Sequence, residues 1–278
     1  MKKTTFTYKG IDDYALHFEL WKPEGKTKSA FVLVHGLGEH SGRFSTHFAQ
    51  FYTDNNYAIL TFDLPGHGRS EGKRGILAKY NHLYQILDYA LDRLRVDFPG
   101  IPTFIYGHSL GALITLDYAI TQKPDISAVI ATSPPLDVDQ PLPKSKILAA
   151  KVLNILLPSV GIKTGLVTDV LSKDESVVRA YLNDPIVHDI ASARLGMYII
   201  ERGEFVRENP EKLSVPALLM VGTSEANVSQ TAIHQFASGS ALCEEKTWPG
   251  LYHELHNEPE KDMVFEFAER WMDVRIKP

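Results

Sequence analysis

From residue 28 to residue 133, short apolar runs alternate with longer stretches in which apolar residues recur at helical spacing. The runs AFVLVHG, YAILTFDLPG, TFIYGHS and ISAVIATSP predict strands, and each ends in the small or polar residues expected at the C-terminal edge of a buried strand. Between them SGRFSTHFAQFYTDN, LAKYNHLYQILDYALDRLRVDFPG and LGALITLDYAITQKP predict helices. Repeated strand–helix alternation is the signature of βα units and a mostly parallel sheet. Ahead of it, TTFTYKG and ALHFELWKPEG predict an opening antiparallel hairpin.

The alternation stops after about residue 134. PPLDVDQPLP, ILAAKVLNILLPSVGI and ESVVRAYLNDPIVHDIASARLGMYIIERGEF carry helical patterns and no convincing strand; strand signals return in VPALLMVGTSEA and EEKTWPG, before the amphipathic helix EKDMVFEFAERWMDV. The fold class expected is therefore α/β: one core built from residues 1–134 and 206–278, with residues 135–205 inserted as a helical cap. The stretch ILAAKVLNILLPSVGI is more apolar than a surface helix needs. Either it packs onto the sheet domain, or it presents an apolar lid face to a lipid substrate and makes transient contact with a membrane surface.

Length does not separate one large domain from two, since 278 residues at roughly 150 per domain allow both. Composition is that of an ordinary globular chain, 44% hydrophobic and 23% charged, which permits a substantial core. A net charge of −5, without any basic block, argues against nucleic acid as a partner. The single cysteine, Cys243, cannot form an intramolecular disulfide and is expected in the core. MKKTTFTYKG lacks the apolar stretch of a secretion signal, and no run approaches the roughly 18 apolar residues that span a bilayer. A cytoplasmic protein, peripheral to membrane if the cap is lipid-facing, is the resulting expectation.

The chemistry centres on GHSLG, residues 107–111, placed where a predicted strand gives way to a predicted helix. Ser109 could simply cap that helix. The strand–G-x-S-x-G–helix context is also that of a nucleophile elbow, in which Ser109 Oγ stands exposed on a tight turn and the Leu110 N–H faces a developing oxyanion. A serine hydroxyl is barely ionised at neutral pH and needs a base as it attacks. With an elbow of this kind the acid and then the histidine follow the serine in the chain. His234, His253 and His256 follow the cap; His234 lies in the helical stretch QTAIHQFAS, on an expected solvated face, whereas WPGLYHELHNEP puts His253 and His256 in a loop. After PALLMVG the only carboxylate on offer is Glu225, in TSEANVS. A carboxylate there would fix the histidine tautomer and stabilise the imidazolium.

Together, HGLGEHSGRF (35–44), FDLPGHGRSEG (62–72), GHSLGA (107–112) and PGLYHELHNEP (249–259) resemble the monoacylglycerol lipases and lysophospholipase-like hydrolases of the α/β-hydrolase superfamily. The resemblance runs over nearly the whole chain, including VVRAYLNDPIVH in the cap. It implies the α/β-hydrolase fold, Ser109 as nucleophile, His253 rather than His256 as base, and the backbone of Leu37 and Leu110 as oxyanion donors. It further implies that Glu39, Arg43 and His256 contact the alcohol end of the substrate; the spacing of Glu39 and Arg43 also fits a purely structural ion pair. His40 and His67 are expected to serve their loops, and Asp63, which precedes the serine, belongs to a structural loop. The departure from the family pattern is at GTSEANVS, where Glu225 stands in place of the usual aspartate and Asn227 is more polar than the usual occupant.

The activity so implied is hydrolysis of monoacylglycerol esters through an acyl-enzyme, with no metal and no organic cofactor. General carboxylesterase or lysophospholipase activity is the alternative, and a binder of apolar ligands without turnover is a further one. An alkyl-ester mechanism would need a carboxylate at the elbow, and HELH at 253–256 is one residue short of a helical zinc motif.

Overall fold

A computed structural model describes residues 1–11, 14–138 and 143–276, so residues 139–142 of the expected cap lie outside the described residues. The strands are β1 (Lys2–Ile11), β2 (Tyr14–Lys22), β3 (Ser29–Val34), β4 (Tyr57–Phe62), β5 (Thr103–His108), β6 (Ala128–Thr132), β7 (Gly161–Lys163), β8 (Ile190–Ser192), β9 (Ala217–Gly222) and β10 (Cys243–Trp248). The helices are α1 (His47–Asp54), α2 (Asn81–Asp97), α3 (Leu110–Gln122), α4 (Lys144–Leu156), α5 (Glu175–Asn183), α6 (Ala193–Arg207), α7 (Gln230–Ser238) and α8 (Lys261–Ile276). Eight strands form one sheet in the order β1-β2-β4-β3-β5-β6-β9-β10. The β1–β2 hairpin joins β4 antiparallel, and every pair from β4 to β10 is parallel. This is the α/β-hydrolase fold.

Alternation along each central strand divides the core in two, because successive side chains point to opposite faces. Val32, Val34 and Ile105 face a cluster shared with α2, α3, α6 and α7, while Phe31, Leu33 and Phe104 face a cluster shared with α1 and α8. Both faces being covered, the central strands β3, β4, β6 and β9 are buried along their whole length and almost entirely apolar, which is what made them readable, whereas the edge strand β10 carries Glu244, Glu245 and Lys246. α3 is buried on every side from Leu110 to Ile120, as its apolar sequence requires.

The strand-free expectation for residues 135–205 is corrected at one point: β7 and β8 pair antiparallel from Gly161↔Ser192 to Lys163↔Ile190. α6 joins the larger core cluster through Leu195, Tyr198 and Val206. A buried polar group fixes it there. Asp117 of α3 accepts from Tyr84 Oη at 2.5 Å, from Tyr198 Oη at 3.0 Å and from the Arg202 guanidinium. Cys243, expected in the core, is only half-buried because it opens the edge strand β10. Among the described residues no helix is long and apolar enough to cross a membrane.

Candidate active site

The parallel strands all end on the same side of the sheet, so the loops after β3, β5, β6, β9 and β10 meet there, the region where open α/β sheets hold their ligands. Ser109 sits at φ 52°, ψ −120° between β5 and α3. A side chain at Gly107 would overlap the Gly111 carbonyl, and one at Gly111 would overlap the Val34 carbonyl. Both glycines of the motif are therefore steric requirements. The Ser109 side chain makes no capping bond to α3, which removes the helix-cap alternative. The Leu110 N–H belongs to the first turn of α3, where helix geometry leaves N–H groups without an intrahelical acceptor. Leu37 and Leu110 border the same cavity as Ser109.

Ser109 Oγ lies 3.1 Å from His253 Nε2, and His253 Nδ1 lies 2.7 Å from Glu225 Oε2. A carboxylate only accepts, so Nδ1 carries the proton and Nε2 is left to accept from the serine hydroxyl. Glu225 and His253 are both buried, at 6% and 3% exposure. Burial pushes the His253 pKa down, but the Glu225 carboxylate, with Glu254 and Glu39 beyond it, outweighs burial and the net shift is upward. Burial pushes Glu225 up; the His253 imidazole, the Asn227 N–H and the Ser133 hydroxyl reverse this and leave it lowered. The arrangement can activate a hydroxyl nucleophile and return the proton to a leaving group.

The remaining sequence candidates divide. Glu39 borders the cavity, with Oε1 accepting from the Gly36 N–H at 2.6 Å and Oε2 from Arg43 at 2.8 Å. Arg43 and His256 do not border it. The Arg43 guanidinium is gripped on its other edge by Glu254, 2.7 Å from Nη2 to Oε2, and lies over the Tyr181 ring. Burial and the nearby Glu254 raise the Glu39 carboxyl despite Arg43, while Glu254, which burial alone would raise, is held down at about 2 by Arg43. His256 stacks on Phe44 with ring centres 4.1 Å apart and contacts His108 at 4.7 Å. Burial, aided by Arg43 and His253, drives the His256 pKa to about 3 in spite of Glu254, so it is neutral.

The loop residues fall as expected, with one exception. Asp63 accepts from the Ser41 N–H, the Ser41 hydroxyl and the Arg69 N–H, a structural role. His40 Nε2 meets Asp184 at 3.0 Å, and His234 is solvent-exposed beside Glu245. His67 Nδ1 meets the Pro65 carbonyl at 3.0 Å, but its Nε2 is buried with no partner. Among the described residues no group of three His, Cys, Asp or Glu side chains is placed to hold a metal ion.

Sequence reasoning missed what lies behind the chain Glu225–His253–Ser109. The stretch 167–173 is hydrogen-bonded to the loops that carry Glu225 and His253. Asn227 exchanges two bonds with the Val167 backbone, Nδ2 to O at 3.3 Å and N to Oδ1 at 3.1 Å, while its own N–H reaches Glu225 Oε1 at 2.7 Å. The His253 and Glu254 N–H groups donate to Val170 and Leu171 carbonyls at 3.3 and 2.8 Å, and Glu258 accepts from the Lys173 and Tyr252 N–H groups. The unusual polarity of Asn227 was the one signal in the sequence.

The cavity in front of Ser109 has a volume of about 350 Å³ and is bordered by Leu166, Val167, Leu171, Tyr181 and Ile199 on the side of the 135–205 segment. A second cavity of about 230 Å³ shares Pro135, Val138 and Ile199 with it and runs towards Arg207. No lysine or arginine borders the first cavity among the described residues.

Comparison with known proteins matches residues 25–260 to the family described as serine aminopeptidase, S33. A Bacillus subtilis protein named phospholipase YtpA is 30% identical over 260 residues, covering 92% of this chain and 99% of its own. Human monoglyceride lipase is 30% identical over 271 residues, covering 95% and 88%. The crystal structure of Paleococcus ferrophilus monoacylglycerol lipase superposes with a TM-score of 0.85 at 30% identity, over 94% of this chain and 99% of that one.

Proposed function

We propose, for a chain that belongs to the serine aminopeptidase, S33, family of hydrolases, that the reaction is hydrolysis of monoacylglycerol to fatty acid and glycerol. The observation that carries it is the hydrogen-bonded chain Glu225–His253–Ser109 opening onto a largely apolar cavity that no lysine or arginine borders among the described residues. Ser109 Oγ attacks the ester carbonyl while His253 Nε2 takes its proton. The Leu37 and Leu110 N–H groups hold the tetrahedral oxyanion. His253 then gives the proton to the departing glycerol oxygen, and Glu225 stabilises the imidazolium in between. Water, deprotonated by His253, attacks the acyl-Ser109 ester and releases the acid.

The headgroup argument favours glycerol over a phosphodiester. Arg43 is spent on two carboxylates, and the carboxylates that border the cavity are Glu39 and Glu254, so among the described residues a phosphate would meet no free cation there. The neutral diol of a monoacylglycerol can donate to Glu39. The acyl chain runs along Val138 and Ile199 towards the second cavity.

Residues 135–205 act in this reading as a cap, with α6 as the leg rooted in the core. On α4 and beyond it Leu148, Ile155, Leu156 and Leu157 are exposed, an apolar surface suited to transient contact with a lipid layer, where the substrate is dissolved. The test is kcat/KM for one monoacylglycerol beside a lysophospholipid of the same chain, a short p-nitrophenyl ester and an amino-acid p-nitroanilide. Preference for the monoacylglycerol is the expected result. Preference for the lysophospholipid or the anilide would overturn the headgroup argument, and preference for the short ester would overturn the acyl path. Vesicle sedimentation with and without Ile155→Glu tests the lipid contact.

A further inference from the structure

The end of β6 touches all three catalytic loops. The Thr132 carbonyl accepts the Ser109 N–H at 2.8 Å, and Thr132 Oγ1 lies 3.0 Å from Nδ1 of His108, the residue before the nucleophile. Ser133, the next residue, is fully buried and donates from Oγ to the His253 carbonyl at 2.9 Å. The same hydroxyl faces the Glu225 carboxyl and favours its ionised form.

Ser133 does this from a backbone it should avoid. Its φ is +47°, a region rarely entered by residues other than glycine, asparagine and aspartate, and Pro134 follows it, which favours extended backbone at the preceding residue. The strained turn is pinned by the bond from the Ser133 N–H to the Met220 carbonyl at 2.8 Å, on the strand that leads to Glu225. Strain of this kind persists where the surroundings over-determine a conformation, and it gathers at functional sites. Relaxing φ would swing the hydroxyl away from the base and the acid.

We propose that Ser133 is a positioning residue of the triad, whose hydroxyl, aimed by the strained turn at the end of β6, holds the His253 backbone in its place beside Glu225. The single proton of the hydroxyl is committed to the His253 carbonyl, so losing it releases the backbone that carries the base. The inference rests on the reaction proposed above, since alignment matters only if His253 and Glu225 act on Ser109.

Two variants separate the hydroxyl from the strain. Ser133→Ala removes the hydroxyl and keeps the strained backbone; Ser133→Gly removes both, at a φ that glycine adopts freely. On a soluble p-nitrophenyl ester both variants are expected to lose about 10- to 100-fold in kcat, with KM within about twofold of wild type. Ser133→Gly is expected to melt at a higher temperature than Ser133→Ala while being no more active. Labelling by a serine-directed fluorophosphonate should slow in both variants. Wild-type kcat in Ser133→Ala, or recovery of kcat in Ser133→Gly, would overturn the proposal. So would losses of kcat that track losses of melting temperature across both variants, which would make Ser133 a packing residue only. If the wild-type protein is itself unlabelled, it is the triad reading that fails; labelling of both variants at the wild-type rate would sink only the role of Ser133.

Discussion

Glu225 meets His253 with 2.7 Å between Oε2 and Nδ1, an arm one methylene longer than an aspartate would offer. The other oxygen, Oε1, is tied to the Asn227 N–H at 2.7 Å. The carboxylate is thus fitted to its place from both sides. Glu225→Gln is expected to lower kcat by about three orders of magnitude or more, because the neutral amide neither fixes the tautomer nor supports the imidazolium. Glu225→Asp is expected to lose about tenfold or more, since a shorter arm cannot hold both partners. Steady-state kinetics on a p-nitrophenyl ester check both; an aspartate variant faster than wild type would show that the loop is shaped for the shorter acid.

The backbone at Ser109 is held at a positive φ by the elbow. Ser109→Ala is expected to abolish turnover and leave stability nearly unchanged. Ser109→Gly is expected to be equally inactive but more stable by about 1 kcal/mol, because glycine relieves the strain. Urea unfolding of the two variants gives the difference directly.

Activity should fall on the acid side as His253 protonates, because only the neutral ring can take the serine proton. Glu225, Glu254 and Glu39 raise the His253 pKa against the effect of burial, while the neighbouring His108 and His256 stay neutral. The acid limb of kcat/KM is therefore expected above the pH at which an ordinary imidazole titrates, and in Glu225→Gln it should move to lower pH. A pH–rate profile of the two proteins tests the direction.

Arg43 is the single cation among two buried carboxylates, Glu39 and Glu254. Arg43→Met leaves both without a counter-ion, and a loss of about 3–5 kcal/mol is expected in urea unfolding. The double variant with Glu254→Gln should recover part of that loss, which distinguishes stranded charge from lost packing.

Ile199 stands at the junction of the two cavities. Ile199→Trp is expected to block passage between them, cutting kcat/KM for a long-chain ester by about tenfold or more while leaving a two-carbon ester nearly unaffected. A chain-length series of p-nitrophenyl esters measures this.

The strands and the elbow were legible because parallel strands buried on both faces leave continuous apolar runs, and a nucleophile turn leaves glycines at fixed offsets. β7 and β8 were not, being three residues each, with Gly161–Lys163 wholly exposed and without an apolar pattern. For Arg43 the sequence offered Glu39, four residues away, and hid Glu254, whose 211-residue separation only the fold closes. Ser133 and Asn227 carry no motif. Their meaning lies in a positive φ and in a bond to Val167, neither of which leaves a periodic trace.

The stretch 167–173 borders the cavity at Val167 and Leu171 and is bonded to the loops that carry Glu225 and His253. Through these bonds, a ligand that orders the stretch is expected to order the loops of Glu225 and His253 as well, and by reciprocity a covalent adduct on Ser109 that orders His253 is expected to order the stretch in turn. Slowed hydrogen exchange at amides 167–173 after fluorophosphonate labelling, with no ligand in the acyl path, is the form that reciprocity takes.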